Sequence, residues 1–446
     1  MVLVEDYLDL QEEYEKKFGP KTIVLMQVGG FFELYGFPAV PDENTKFRGK
    51  IYEISNITNL SVSVKSGLYL MAGFPNHAFG KWRDILLNEG YTIIKSEQDA
   101  NGVSNPTRTI TEIISPGVNL DTPQYLNNIM SIYIEEIKDY KTNKPMLELG
   151  ISIADVNTGD TIIYENHSTP DDFSLCIDDV LRFLQSHAPH EIVITCISKS
   201  LEKNDLLKQL SLNDRNIHFN FYCDEKYNHL LKPKYIDEIL KKVYPNHGNI
   251  TPVQYIDLDR SIFALYSYVY LIQFIYEHNE NTIKKLSKPR FWEPTKHLIL
   301  SHDSITQLNV IDHKKEYEMS TLWGIVNKTK TCMGKRRLRE NLLNPIISDL
   351  ILNNRYDIVG ELMIEDKEKK DYRFNIVREY IKSICDIERL HRKMSIGILN
   401  PGEFVNLDLA YTSIETLYTY MDSIDKDLIK EKIKKNKIQN EYLLSE

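Results

Sequence analysis

Phe31 and Glu33 stand two residues apart, directly after the pair Gly29-Gly30, within residues 24–36 (VLMQVGGFFELYG). On an extended segment they point the same way and Phe32 the other, so a ring and a carboxyl group can be offered outward together while Phe32 is buried. That pair suits a kinked nucleic-acid duplex. An apolar ring can wedge between base steps, most cheaply where stacking is already weak, and a carboxyl group can hydrogen-bond to a base edge. Phe32 and Tyr35 would support such a site, and Gly29 and Gly30 would let the chain turn tightly enough to hold the aromatics at a rim. The same residues also suit an ordinary buried aromatic cluster, because Phe and Tyr are mostly core residues.

The elements that must position this pair can be read around it. Residues 23–28 are a short apolar run broken only by Gln27, which suits a strand buried on both faces better than a helix. Before it, residues 7–18 set Leu8, Tyr14 and Phe18 among Glu12, Glu13 and Lys16, the pattern of an amphipathic helix stopped by Gly19-Pro20. After it come a polar connection at 38–49, a short helix at 51–57, a strand at 60–64, a helix at 77–88, and strands at 91–95 and 109–114. His77 stands without a second His or Cys at ligand spacing, so it reads as a capping or packing residue rather than a metal ligand.

Several stretches carry a resemblance, and in one order. GGFFELYG resembles the Phe-x-Glu signature of the mismatch-recognition domain of the MutS family of DNA mismatch-repair proteins. LMAGFPNHAFGKWRDILLNEGYTIIKSEQ, at 70–98, and TITEIISPGV, at 109–118, are similar to the segments that complete that domain. Residues 307–345, with TLWGIVNKTKTCMGKRRLRENLLNPI at 321–346, and DIERL, at 386–390, resemble parts of the family's helical core and lever. One position departs: the residue before the wedge phenylalanine is commonly an acid in this family and is Gly30 here.

The resemblance implies a multidomain chain: an α/β mixed-sheet mismatch-recognition domain over 1–120, a polar linker at 121–145, an RNase-H-like α/β connector domain over 146–250, and an incomplete all-α core and lever domain over 251–446. It implies that Phe31 stacks at a mispaired or unpaired base and Glu33 hydrogen-bonds to it. Double-stranded DNA with mismatches or small loops is the expected partner, with a MutL-type protein, a second copy or a full-length MutS as further ones. The alternative is a protein-interaction module that binds such partners through the connector.

In the expected connector, residues 146–156 and 161–164 flank a turn at 157–160, with a helix at 171–186, a strand at 191–195, a helix at 200–210 and a strand at 218–221. Asp155 is the one carboxylate placed where an RNase-H-type nuclease would hold metal, and no further carboxylates have a matching placement, which argues against a nuclease. Downstream, 298–310 reads as an extended crossing, and 319–343, 356–363, 372–394 and 404–421 as long helices. Lys335, Arg336, Arg337 and Arg339 make a basic face that reads as solvated or salt-bridged rather than DNA-bound. A basic helical run follows at 429–437.

The net charge of −10 is against a protein that merely coats nucleic acid, so binding would need a local basic surface. The five cysteines are scattered without a CxxC pair, indicating neither a disulfide framework nor zinc and fitting a soluble, intracellular, reducing setting. No uncharged apolar run reaches the length of a membrane span or signal sequence. A phosphate-cradling loop needs GxxxxGK[ST], and Gly80-Lys81 and Gly334-Lys335 lack both its upstream glycine and its hydroxyl. The chain is thus expected not to be an enzyme by itself; the ATP and magnesium of the family would belong to an ATPase region outside it, with no cofactor and no metal in this chain.

Overall fold

The structure is a computed structural model that describes residues 2–39, 47–98, 107–118, 128–139, 143–169, 172, 174–187, 189–198, 200–210, 212, 216–221, 229–293, 296–298, 300, 302–311 and 321–423. The chain divides into two units, one of residues 1–122, 127–180 and 189–291, the other of 123–126, 181–188 and 292–446.

The first unit begins with helix α1 (Val2–Phe18), which ends at Gly19 in the left-handed region (φ 95°), the conformation a helix-terminating glycine adopts at little cost. Strands β1 (Thr22–Val28) and β2 (Phe31–Gly36), helix α2 (Ile51–Thr58), strands β3 (Ser63–Lys65) and β4 (Tyr69–Pro75), helix α3 (Phe79–Asn88), and strands β5 (Thr92–Gln98) and β6 (Arg108–Ile114) follow. They form a mixed sheet in the order β3-β4-β2-β1-β5-β6, with β1 antiparallel to β2 and parallel to β5. Strand alternation divides the apolar side chains between two cores. Ile23, Leu25, Phe32 and Leu34 pack with Ile54, Leu86 and Leu87 of α2 and α3, while Val24, Met26 and Tyr35 pack with Val4, Tyr7 and Leu8 of α1. Both faces are therefore closed, as the apolar run Ile23 to Met26 requires. Full burial of each such side chain contributes about 1.5–3 kcal/mol.

A second mixed sheet follows in the same unit. Its strands are β7 (Asn128–Lys138), β8 (Pro145–Asp155), β9 (Thr161–His167), β10 (Glu191–Ile197), β11 (Asn216–Phe221) and β12 (Arg290–Phe291), with helix α4 (Ser174–His187) between β9 and β10 and α5 (Lys203–Gln209) between β10 and β11. The order is β11-β10-β7-β8-β9-β12. Helices α6 (Pro233–Val243), α7 (Pro252–Tyr255) and α8 (Ile262–His278) precede β12. Helix α8 is apolar nearly all round and buries ten residues, the mark of a helix inside a core. Its first turn lies on β8 at Gly150, where a Cβ would fall 1.9 Å from the Phe263 carbonyl oxygen. The Glu165 carboxylate accepts from the Phe263 and Ala264 amides, both at 2.8 Å, placing negative charge at that helix N-terminus.

Two expectations are corrected here. Residues 121–145, read as a polar linker, contain β7, an 11-residue strand in the middle of the second sheet. Residues 251–291, read as the start of the helical region, include α8, which packs on β7 and β8.

Among its described residues the second unit is helical apart from a small ribbon. It contains α9 (His302–Gln307), α10 (Leu322–Val326), α11 (Cys332–Leu343), α12 (Asp349–Leu362), the pair β13 (Glu365–Asp366) and β14 (Asp371–Tyr372), α13 (Arg373–Lys382), α14 (Ile387–Ile396) and α15 (Pro401–Ser423). The expected extended crossing at 298–310 thus holds α9. The expected continuous helices at 319–343 and 372–394 are each interrupted. Thr331 accepts from the Gly334 amide at 3.0 Å to start α11, and Asp386 accepts from the Arg389 amide at 3.4 Å to start α14; these caps prevail over apolar spacing that would otherwise run on. The run at 429–437 and Cys223 lie outside the described residues. No helix among the described residues is long and apolar enough to cross a membrane.

Candidate functional site

Gly29 and Gly30 form the two-residue connection of the β1–β2 hairpin, in which Val28 pairs with Phe31. Gly29 has φ 60° and Gly30 has no positive φ, the primed-turn pattern in which glycine takes the first central position. The departure at Gly30 therefore sits in the turn itself. A Cβ at either glycine would meet nothing within 4 Å, so the tip is open.

Along β2 the side chains of Phe31, Glu33 and Tyr35 share a face and grade from exposed through half-buried to buried. Phe31 is 50% exposed, whereas Phe32, on the opposite face, is 3% exposed and packs on Phe74 and Phe79 with ring centroids 6.0 and 5.0 Å away. One aromatic is thus held in the core and its neighbour is presented. Glu33 lies opposite Gly73 of β4, where a Cβ would be 2.7 Å from the Phe32 carbonyl oxygen and 3.2 Å from Glu33 Cγ. Glycine there leaves room for the carboxylate side chain. The Tyr35 hydroxyl donates to Glu33 Oε2. The Tyr35 ring is fixed edge-on to Tyr7, 5.3 Å between centroids, and Tyr7 in turn donates to the Val24 carbonyl at 3.1 Å. Burial, and then the hydrogen bond to Glu33, push the Tyr35 phenol well above its ordinary range, so it keeps its proton and remains a donor.

The hairpin tip is held from two sides by residues that sequence reading did not single out. On one side Asn76, at the end of β4, donates its amide to the Gly30 carbonyl at 2.9 Å and its Nδ2 to the Gly29 carbonyl at 3.2 Å. On the other, Gln98 Oε1 accepts from the Gly29 amide at 3.0 Å, Gln27 Oε1 accepts from the Gln98 amide at 3.0 Å, and Gln27 Nε2 donates to the Gly29 carbonyl at 3.2 Å. Arg108 Nε donates to the Gln27 carbonyl at 3.0 Å and brings a cation to this end of the sheet. The nearby Lys95 is engaged with Glu97 at 2.9 Å. The visible signal is polarity out of place at Gln27, which interrupts an apolar strand; Gln98 ends a strand whose second half is polar throughout and carries no such signal.

Other candidates separate from this site. His77 is exposed in a single 3-10 turn, neither packed nor capping. Asp155 ends the second strand of its sheet, not the first, and its Oδ1 accepts from the Asn157 amide at 3.0 Å inside the turn. No group of three His, Cys, Asp or Glu among the described residues is placed to hold a metal ion. Arg336 is 6% exposed and bonded to Asp386 and Glu388, and Arg337 pairs with Glu340 at 2.7 Å, so these two guanidiniums serve the helical unit. Burial alone would raise the Asp386 carboxyl, but Arg336 and then Arg389 hold it below the ordinary range.

The chain was compared with known proteins. The family model described as MutS domain I matches residues 3–122, and that described as MutS domain III matches 303–446; together they cover more than half of the sequence. A putative DNA mismatch repair protein mutS homolog of Acanthamoeba polyphaga mimivirus is 31% identical over 96% of this chain and 40% of its own length. DNA mismatch repair proteins MutS of Methanosarcina barkeri and Streptococcus thermophilus are 25% and 23% identical, over 92% and 96% of this chain and 43% of their own length in each case. The chain therefore spans less than half the length of these curated relatives. The ordered matches to domains I and III, with the relatives aligned along nearly all of this sequence, place the chain in the MutS family.

Proposed function

We propose that this chain binds mismatched or looped DNA in DNA mismatch repair, as the N-terminal part of a MutS-like protein. Phe31 stacks as a wedge at the mispaired or unpaired base, and Glu33 hydrogen-bonds to that base. The observation that carries the reading is the contrast between adjacent rings: Phe32 is locked in the core, while Phe31 is half exposed at an open hairpin tip with the Glu33 carboxylate beside it. An apolar ring so presented is costly to leave in water and suited to insertion between base steps. Arg108 supplies positive charge at the same end of the sheet.

In this reading the second sheet is an RNase-H-like connector. Counting its first five strands in chain order, the sheet runs third, second, first, fourth, fifth, with the first three antiparallel and the last two parallel to the first, which supports that assignment. The helices of the second unit are the lever. Within its own residues the chain is a binder and not an ATPase. Supporting this, Gly334-Lys335 opens α11, where the Gly334 amide is already capped by Thr331, instead of forming an anion-binding loop.

The test is the affinity of the chain for a duplex with one G·T mismatch or one unpaired thymine against the matched duplex, at fixed low salt, for wild type and Phe31→Ala. Base stacking on an aromatic contributes about 1–3 kcal/mol, so the variant should lose roughly five- to 150-fold on the mismatched duplex and little on the matched one. An equal loss on both duplexes would count against the wedge.

A further inference from the structure

We propose that Gln98 is the positioning residue of the Phe31 hairpin, fixing the turn so that the ring is presented before any duplex arrives; this rests on the mismatch-binding reading above. The two-residue turn needs such a device. Gly29 and Gly30 have no side chains to pack, and an ideal Cβ at either would touch nothing. Glycine also loses more conformational freedom on ordering than any other residue, so an unbraced glycine pair samples many geometries. A wedge on such a turn would lose part of its binding energy to ordering.

The β1–β5 ladder runs in parallel register only to Met26 and Ser96. Past that point side chains take over from backbone pairing. The Gly29 amide donates to Gln98 Oε1, the Gln98 amide donates to Gln27 Oε1, and Gln27 Nε2 donates to the Gly29 carbonyl, which closes a ring of three hydrogen bonds at 3.0, 3.0 and 3.2 Å. Both backbone polar groups of Gly29 are thereby held by side chains. Arg108 adds a bond to the Gln27 carbonyl and Asn76 a second bond to the Gly29 carbonyl. Gln98 is the one member of the ring that reaches the turn from another strand through its side chain and also pins Gln27 through its backbone. It stands 69 positions from Gly29 in the sequence, so the contact exists only in the folded sheet.

The group that matters is an acceptor, Oε1. Gln98→Glu keeps an acceptor of the same reach, whereas Gln98→Leu keeps the size and removes it. A hydrogen bond of this kind is worth roughly a three- to tenfold change in an equilibrium. The experiment uses the full chain. In the absence of DNA, Gly29 amide hydrogen exchange should quicken by about that factor in Gln98→Leu and not in Gln98→Glu. With DNA, the ratio of mismatched to matched affinity should fall about three- to tenfold in Gln98→Leu and recover in Gln98→Glu; the added charge of Gln98→Glu weakens both duplexes alike and leaves the ratio. Phe31→Ala is measured alongside. A ratio that persists in Gln98→Leu but vanishes in Phe31→Ala overturns the inference and leaves the function standing. A wild-type chain with no preference, indistinguishable from Phe31→Ala, overturns both.

Discussion

The N-terminal sheet and the C-terminal helices hold themselves together by different means. Both faces of the first sheet are closed by side chains such as Ile23, Leu25, Leu34 and Tyr7 that are entirely buried, and Phe31 stands out against that background. In the helical unit, exposed apolar side chains are common: Tyr356 and Val359 on α12 with Met363 just past its end, and Phe404, Val405, Leu409 and Tyr418 on α15. Beside small apolar clusters around Ile305 and Leu343 and around Tyr420, that unit buries a charged one. Arg336, Arg389 and Arg392 are all below a tenth exposed, and Asp386 binds the first two. Among the described strands of the first sheet Phe31 is the exposed aromatic, although Tyr52 of the neighbouring α2 is as exposed at 51%; in the helical unit exposed aromatics recur. The two regions should also yield to different insults.

Truncation separates them most strongly. Asp386→Ala removes a partner of both buried Arg336 and buried Arg389 together with the α14 cap, and should cost the helical unit about 3–5 kcal/mol. Phe32→Ala should cost the sheet a similar amount, about 3–5 kcal/mol, through the cavity it leaves against Phe74 and Phe79. Denaturation followed in single-tryptophan versions checks this, because Trp82 packs on Phe74 in the sheet domain and Trp323 lies in α10. Asp386→Ala should move the Trp323 transition alone and Phe32→Ala the Trp82 transition alone. If each variant moves both, the division is wrong.

Acid and alkali should divide the regions again, with smaller effects. The carboxyl of Asp386 is held below its ordinary value, so its contribution is fully present above about pH 4 and is lost as pH falls through the lowered folded value. Burial holds the phenols of Tyr7 and Tyr35 above theirs, so their contribution is present below about pH 10 and is lost as pH rises beyond it. The Trp323 transition should thus fall first in acid and the Trp82 transition first in alkali. Asp386→Asn should flatten the acid limb, and its persistence in that variant would assign it to other groups.

How much of this was legible in the sequence depends on how local each cause is. The strand, the glycine turn and the split between Phe31 and Phe32 follow from neighbouring residues and strand alternation, and they were read correctly. The α1 helix and its glycine stop were equally local. The braces of the turn were not, because Gln27 meets Arg108 from 81 positions away through the parallel β1–β5 pairing and the antiparallel β5–β6 pairing, which no short window contains. Strand β7 was hidden by its surroundings: six of its first seven residues are apolar or small, but Asn, Lys and Glu around it made the stretch read as a linker. Helix α8 falls in the stretch expected to be helical, yet an all-round apolar surface says only that it is buried and not against what. The break before α14 was encoded in Asp386, a capping residue whose effect was outweighed in the reading by helical spacing on either side.

The smallest stability effect is the sharpest test of the comparison. Phe31→Ala and Tyr418→Ala each remove an exposed ring, 50% and 69% accessible, and each should change stability by no more than about 0.5 kcal/mol. Phe31 makes no ring contact comparable with those of Phe32, and Tyr418 lies on the open side of α15, so neither removal leaves a cavity. By stability the two are alike. On a mismatched duplex they should differ, Phe31→Ala losing the preference and Tyr418→Ala keeping it. A measurable stability loss in Phe31→Ala would mean that the ring packs at the hairpin after all, and any fall in DNA affinity would then follow from a disturbed turn. Equal stability with unequal binding would mean that the sheet carries this ring at no benefit to its own fold, which is how a residue kept for contact with another molecule behaves.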